Sequence, residues 1–125
     1  MSPRFVPASV TELQRVGLLA ELPGQTLAQL AERMLREERS AGTVLVREGD
    51  TDDRFYVLLS GIAAVSQSDM GARRVLRPGD AFGEVAPAMR IARTATVTAV
   101  TACVVASCDL ETFDEFLRPL YADES

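Results

Sequence analysis

The residues best placed to do chemistry lie in one stretch, FGEVAPAMRIARTATV, residues 82–97. Gly83 precedes Glu84, a run of small residues follows, and Arg93 comes nine positions after the glutamate, just ahead of the alternating Thr94-Ala95-Thr96-Val97. A guanidinium presents a planar fork of donors that suits two phosphate oxygens better than a lysine would. Glycine at 83 lets the backbone approach a ligand where a Cβ would obstruct it. Residues 84–89 are compatible with one or two helical turns, with Pro87 in the first turn, where its missing N–H costs little. Free N–H groups at the start of such a turn favour an anion. A carboxylate at Glu84 would repel a phosphate, but it is a good acceptor for a ribose hydroxyl. Phosphate plus ribose means a nucleotide. Spacing alone supports equally well the plainer alternative, an Arg93–Glu84 surface pair on a β protein.

Composition narrows the chemistry further. The chain has 125 residues, no histidine and two cysteines, so a transition-metal site would rest on carboxylates alone. The usual general base is also missing, and a serine or cysteine triad of the common kind cannot be assembled. No metal and no catalytic residue is expected. Cys103 and Cys108 read as buried, reduced thiols, not as a disulfide. A net charge of −5 with scattered basic residues argues against direct nucleic-acid binding, which needs clustered Lys and Arg. The apolar run from Val97 to Ala106 is far shorter than the roughly 20 residues a membrane span requires. The opening MSPRFVPASV lacks the apolar stretch of a secretory signal, and a cytoplasmic setting is expected.

The elements that must position Arg93 are legible as helices, then strands, then a helix. Ser9 and Glu12 form a capping-box pattern ahead of Val10, Leu13 and Val16, which predicts a short first helix ending by Gly17. After Leu22-Pro23-Gly24, the spacing of Leu27, Leu30, Ala31, Met34 and Leu35 predicts an amphipathic helix from about Thr26 to about Glu37. From Gly42 the period changes to short β-rich runs at 43–46, 55–59, 62–66 and 74–76, separated by glycine turns, with two more strands between Thr94 and Val105. Asp109 then caps a closing helix carrying Leu110, Phe113, Phe116 and Leu117, which Pro119 is expected to end. The fold class is α+β, mainly β: an antiparallel roll flanked by N-terminal helices and a short C-terminal helix. One domain over 1–125 is expected, with residues 1–8 and 122–125 loose.

Three blocks then carry a family resemblance: Gly42 to Asp50, ending VREGD; Phe55 to Gly61, FYVLLSG; and Arg77 to Val97, RPGDAFGEVAPAMRIARTATV. From about Leu18 to Leu117 the chain resembles the cyclic nucleotide-binding domain. That module is shared by bacterial catabolite-activator-type regulators, cyclic-nucleotide-dependent kinases and cyclic-nucleotide-gated channels. The resemblance implies a jelly-roll-like double-stranded β-helix and a phosphate-binding cassette in the third block. It implies that Arg93 pairs with the cyclic phosphate and Glu84 accepts from the ribose 2′-hydroxyl. Backbone amides of Gly83, Glu84, Val85 and Ala86 would complete the cradle, and Thr94 would offer a hydroxyl and an amide to the phosphate or to a guanine amino group. Gly49, Gly61 and Gly79 match turn positions. Pro87 stands where the family prefers an apolar residue such as leucine, and Ala92 replaces a frequent proline. Arg90 reads as a solvated side chain, with a second charge near the ligand as the alternative. The base would be covered by Leu120 or Tyr121, by a partner, or by nothing.

The resulting expectation is a non-catalytic sensor that takes cAMP first, with cGMP as the alternative, and needs no cofactor. Its flanking helices would respond to the ligand. The effector domain or protein is unidentified, and a homodimer is open. A degenerate roll that serves as a structural or interaction module is the second reading. A cupin-like enzyme is the third, and it lacks the histidines such barrels use. No helix-turn-helix follows the roll.

Overall fold

Ser9 opens the first helix with both halves of a capping box. The Glu12 amide donates to Ser9 Oγ at 3.1 Å, and the Ser9 amide donates to Glu12 Oε1 at 3.3 Å. The computed structural model describes residues 6–51, 54–68, 71–83, 93 and 95–122, with backbone only at 71–73 and 121–122. Helix α1 is a single turn, Val10–Leu13, and α2, Gly17–Ala20, follows where no helix was expected. Each buries one leucine, Leu13 and Leu19. Residues 6–8, within the stretch expected to be loose, are held instead: the Ala8 amide donates to the Met34 carbonyl at 3.0 Å, and the Arg36 amide donates to the Val6 carbonyl at 2.7 Å.

Helix α3 runs Gly24–Arg33 and buries Leu27, Leu30 and Ala31. It stops four residues short of the expected Glu37. Met34 takes an extended conformation with its side chain buried, and Leu35–Arg39 is strand β1. Apolar spacing could not report this break, because Met34 is buried just as a next helical turn would bury it. The strand that follows is mostly charged and shows no two-residue apolar alternation.

The remaining strands are β2 (Val44–Val46), β3 (Phe55–Ser60), β4 (Ala63–Gln67), β5 (Gly71–Leu76), β6 (Ala81–Phe82), β7 (Thr96–Ala99) and β8 (Cys103–Cys108). They form two antiparallel four-stranded sheets, ordered β1-β8-β3-β6 and β2-β7-β4-β5, which is the expected roll. Cys108 ends β8, and both cysteines are buried and free.

Strand β3 separates two cores. Phe55 and Val57 face α1, α2, α3 and the C-terminal helix, together with Ala106 and Cys108 of β8. Tyr56 and Leu58 face the interior of the roll, with Phe82, Leu76, Val97, Ala99 and Val105. The period-two geometry of a strand sends neighbours to opposite faces, and here both faces are covered. Each fully buried apolar side chain contributes about 1.5–3 kcal/mol.

The closing helix α4 covers residues 110–122. It begins as an α-turn, Leu110–Thr112, widens to a π-helical stretch, Phe113–Leu117, and continues as Arg118–Ala122. Asp109 caps it as expected, accepting from the Thr112 amide at 2.9 Å. Pro119 does not end the helix. In α geometry its ring would meet the carbonyl four residues back. The wider turn just before it, in which the Arg118 amide donates to the Phe113 carbonyl, relieves that conflict. Among the described residues, no helix is long and apolar enough to cross a membrane.

Candidate functional site

Arg93 is 4% exposed and tied into the fold at both ends of its residue. Its amide donates to the Asp50 carbonyl at 2.8 Å, and its carbonyl accepts from the Gly49 amide at 2.9 Å, so the residue is stitched to the turn between β2 and β3. At the other end, Nη1 donates to the Gly83 carbonyl at 2.7 Å and Nη2 donates to the Arg54 carbonyl. The guanidinium therefore joins the end of β6 to the start of β3. Both acceptors are main-chain oxygens, and charge-assisted bonds of this kind are stronger than neutral ones.

Gly83 makes that approach possible. Its φ of +85° lies in the left-handed region, and a Cβ built there would sit 2.7 Å from Arg93 Nη1 and 3.1 Å from the Arg54 carbonyl oxygen. The ring of Phe82, one residue earlier, stacks on Tyr56 with centroids 5.1 Å apart and planes 6° apart. This stack fixes the end of β6 against β3 and so sets where the Gly83 carbonyl points. Gly49, Gly61 and Gly79 take positive φ, as their turn positions require.

Of the site residues read from sequence, the structure brings Gly83 and Arg93 together. Glu84, Val85, Ala86 and Thr94 lie outside the described residues, as do Pro87, Arg90 and Ala92. Leu120 packs against the helical-side core. Sequence reasoning missed Arg54. Its carbonyl receives Arg93, and its own guanidinium reaches β8, where Nε and Nη2 donate to the buried Ser107 Oγ at 3.2 and 3.0 Å. A charged residue directly ahead of the apolar β3 was the only available signal.

Two ionisable groups beside Arg54 depart from their ordinary behaviour. Burial pushes the Cys108 thiol up to about 12, with Arg54 acting in the opposite sense. The Asp109 carboxyl is held below its usual range, first by the Thr112 side chain, then by the Thr112 amide, with further help from Arg54 and Arg33.

A family model for the cyclic nucleotide-binding domain matches residues 36–119. The chain belongs to this family. Over 108 residues it is 37% identical to a cAMP-dependent protein kinase regulatory subunit of Eremothecium gossypii, covering 86% of this chain and 24% of that protein. The chain thus spans about a quarter of that relative's length. Among solved structures it is similar to cAMP-bound PfPKA-R, with a TM-score of 0.85, 26% identity and coverage of 90% of this chain and 40% of that one. It is similar too to the regulatory subunit of a cAMP-independent protein kinase A from Trypanosoma brucei, with a TM-score of 0.85, 25% identity and coverage of 90% and 42%. In this cyclic nucleotide-binding domain, the matched region runs from the second residue of β1 through β8 into α4 and includes the turn that Arg93 joins to the sheets.

Proposed function

We propose that this chain binds a 3′,5′-cyclic nucleotide, cAMP ahead of cGMP, and acts as a non-catalytic regulatory module in the cytoplasm. The site consists of Gly83, Glu84, Val85, Ala86, Arg93 and Thr94. Arg93 faces the cyclic phosphate, Glu84 accepts from the ribose, and the amides of 83–86 complete the cradle. No bond is made or broken, and no cofactor is used. The effector is a further domain or a separate protein; the relative named above is a regulatory subunit of a cAMP-dependent protein kinase.

One observation carries this reading: a buried arginine whose guanidinium is already aimed by the carbonyls of Gly83 and Arg54. A guanidinium carries five N–H donors in a planar fork, the side chain whose geometry best matches two phosphate oxygens. Holding the fork in place before the ligand arrives lowers the ordering cost of binding.

Calorimetry with cAMP and cGMP on the purified chain tests it. The expected result is binding by the wild type and a loss of at least about thirtyfold in Arg93→Ala, since truncating a buried charged partner costs about 2–5 kcal/mol. Equal affinity in the variant would remove Arg93 from the site. The resemblance to the cAMP-independent Trypanosoma brucei protein favours one alternative, a roll of the same shape that does not take the nucleotide. A wild-type chain silent at millimolar cAMP and cGMP would establish that alternative.

A further inference from the structure

Arg54, directly ahead of β3, and the first two residues of the strand touch both sides of the molecule within three positions. The Arg54 carbonyl holds Arg93, and the Tyr56 ring holds Phe82 next to Gly83. Between them, Phe55 packs on Phe113 of α4 with ring centroids 5.3 Å apart. The Arg54 side chain completes the link by gripping Ser107 with two donors, two residues before Asp109, the N-cap of α4. One residue thus offers its main chain to the anion-facing arginine and its side chain to the strand that launches the C-terminal helix.

We propose that Arg54 is a positioning residue that couples the state of Arg93 to the N-terminus of α4. The proposal rests on the cyclic-nucleotide reading for the identity of the ligand, but the coupling is a property of the ligand-free fold as well. An anion arriving on Arg93 shares the charge of a guanidinium that stays in place, and so weakens its bond to the Arg54 carbonyl. The Arg54 backbone cannot shift without moving either its grip on Ser107 or the Phe55–Phe113 contact. Ser107 is fully buried in β8, so movement there reaches Asp109 through only one intervening residue. A ligand shifts a conformational equilibrium only through interactions that differ between the two states, and the Arg93–Arg54 bond is such an interaction.

Amide hydrogen exchange at Thr112 and Phe113 reads the end of this chain of contacts. Their amides donate to Asp109 Oδ1 and to the Asp109 carbonyl, both at 2.9 Å. In the ligand-free protein, Arg93→Lys, Ser107→Ala and the double variant form a cycle. The expected result is faster exchange at both amides in each single variant, with the double falling short of the product by about threefold or more. Arg54→Gln is expected to reproduce the Ser107→Ala effect, while Arg54→Lys restores part of the protection. Adding cAMP to the wild type should change exchange at Thr112 and Phe113, and Arg54→Gln should remove at least half of that change while the response at Gly83 persists. Effects that simply multiply in the cycle, or a full cAMP response at Thr112 in Arg54→Gln, would overturn the proposal. If cAMP alters no amide anywhere in the wild type, the nucleotide reading fails, and the ligand-free cycle still decides the coupling.

Discussion

At Gly83, backbone conformation and a neighbouring side chain make the same demand. A Cβ there would meet Arg93 Nη1 at 2.7 Å in a conformation that L-residues rarely adopt. Gly42 offers a control, with φ of +88° but nothing within 4 Å of an added Cβ. Gly83→Ala should therefore cost the strain of about 1–3 kcal/mol and, by displacing Arg93, about tenfold or more in cyclic-nucleotide affinity. Gly42→Ala should show the strain alone. Denaturant midpoints and calorimetry on the two variants separate these effects. The sequence singled out Arg93 and Gly83 as candidates but read Gly83 as room for a ligand, whereas in the structure Arg93 itself takes the space beside it. Arg54 was not singled out, since its contact with Arg93 is made by a main-chain oxygen, and every residue type carries one.

Among the elements, α4 concentrates the departures from simple periodicity. Its cap was readable, as Asp109 at the head of an apolar pattern is a local signal. Its length was not, because the π-helical turn that accommodates Pro119 depends on how Phe113 and Leu117 bury themselves. Strand β1 was missed for a related reason: it is defined by its pairing with β8, from Leu35 opposite Ser107 to Arg39 opposite Cys103, and not by its own pattern. Outside the cap, α4 is clasped by Arg33, which meets Glu115 at 2.7 Å and lies over the Phe116 ring at 5.2 Å. The cap still matters. Asp109→Ala should lower stability by about 1 kcal/mol in urea unfolding. Because the folded-state Asp109 carboxyl titrates below its unfolded value, its contribution is present above the unfolded value and lost as pH falls through the folded one. The gap between wild type and Asp109→Ala should accordingly close in acid.

For the molecule as a whole, the two cores share the β1-β8-β3-β6 sheet, and Cys108 lies on its helical side. Its thiol titrates near 12 in the folded chain against an ordinary value of 9.0. Folding therefore favours the neutral thiol, and this contribution is intact below the unfolded value and disappears as pH rises through the folded one. Between those limits stability should fall by about 1.4 kcal/mol per pH unit from this group. Unfolding of the wild type and of Cys108→Ala, followed from pH 8.5 upward, checks it: the variant starts lower and loses less. The placement of β3 between the cores also bears on chain length. Inserting or deleting one residue directly ahead of Phe55, so that the whole strand slips by one position against β8, would send Phe55 and Val57 into the roll and Tyr56 and Leu58 toward the helices. A substitution in β3 damages one core, whereas such a one-codon insertion or deletion exchanges the contents of both.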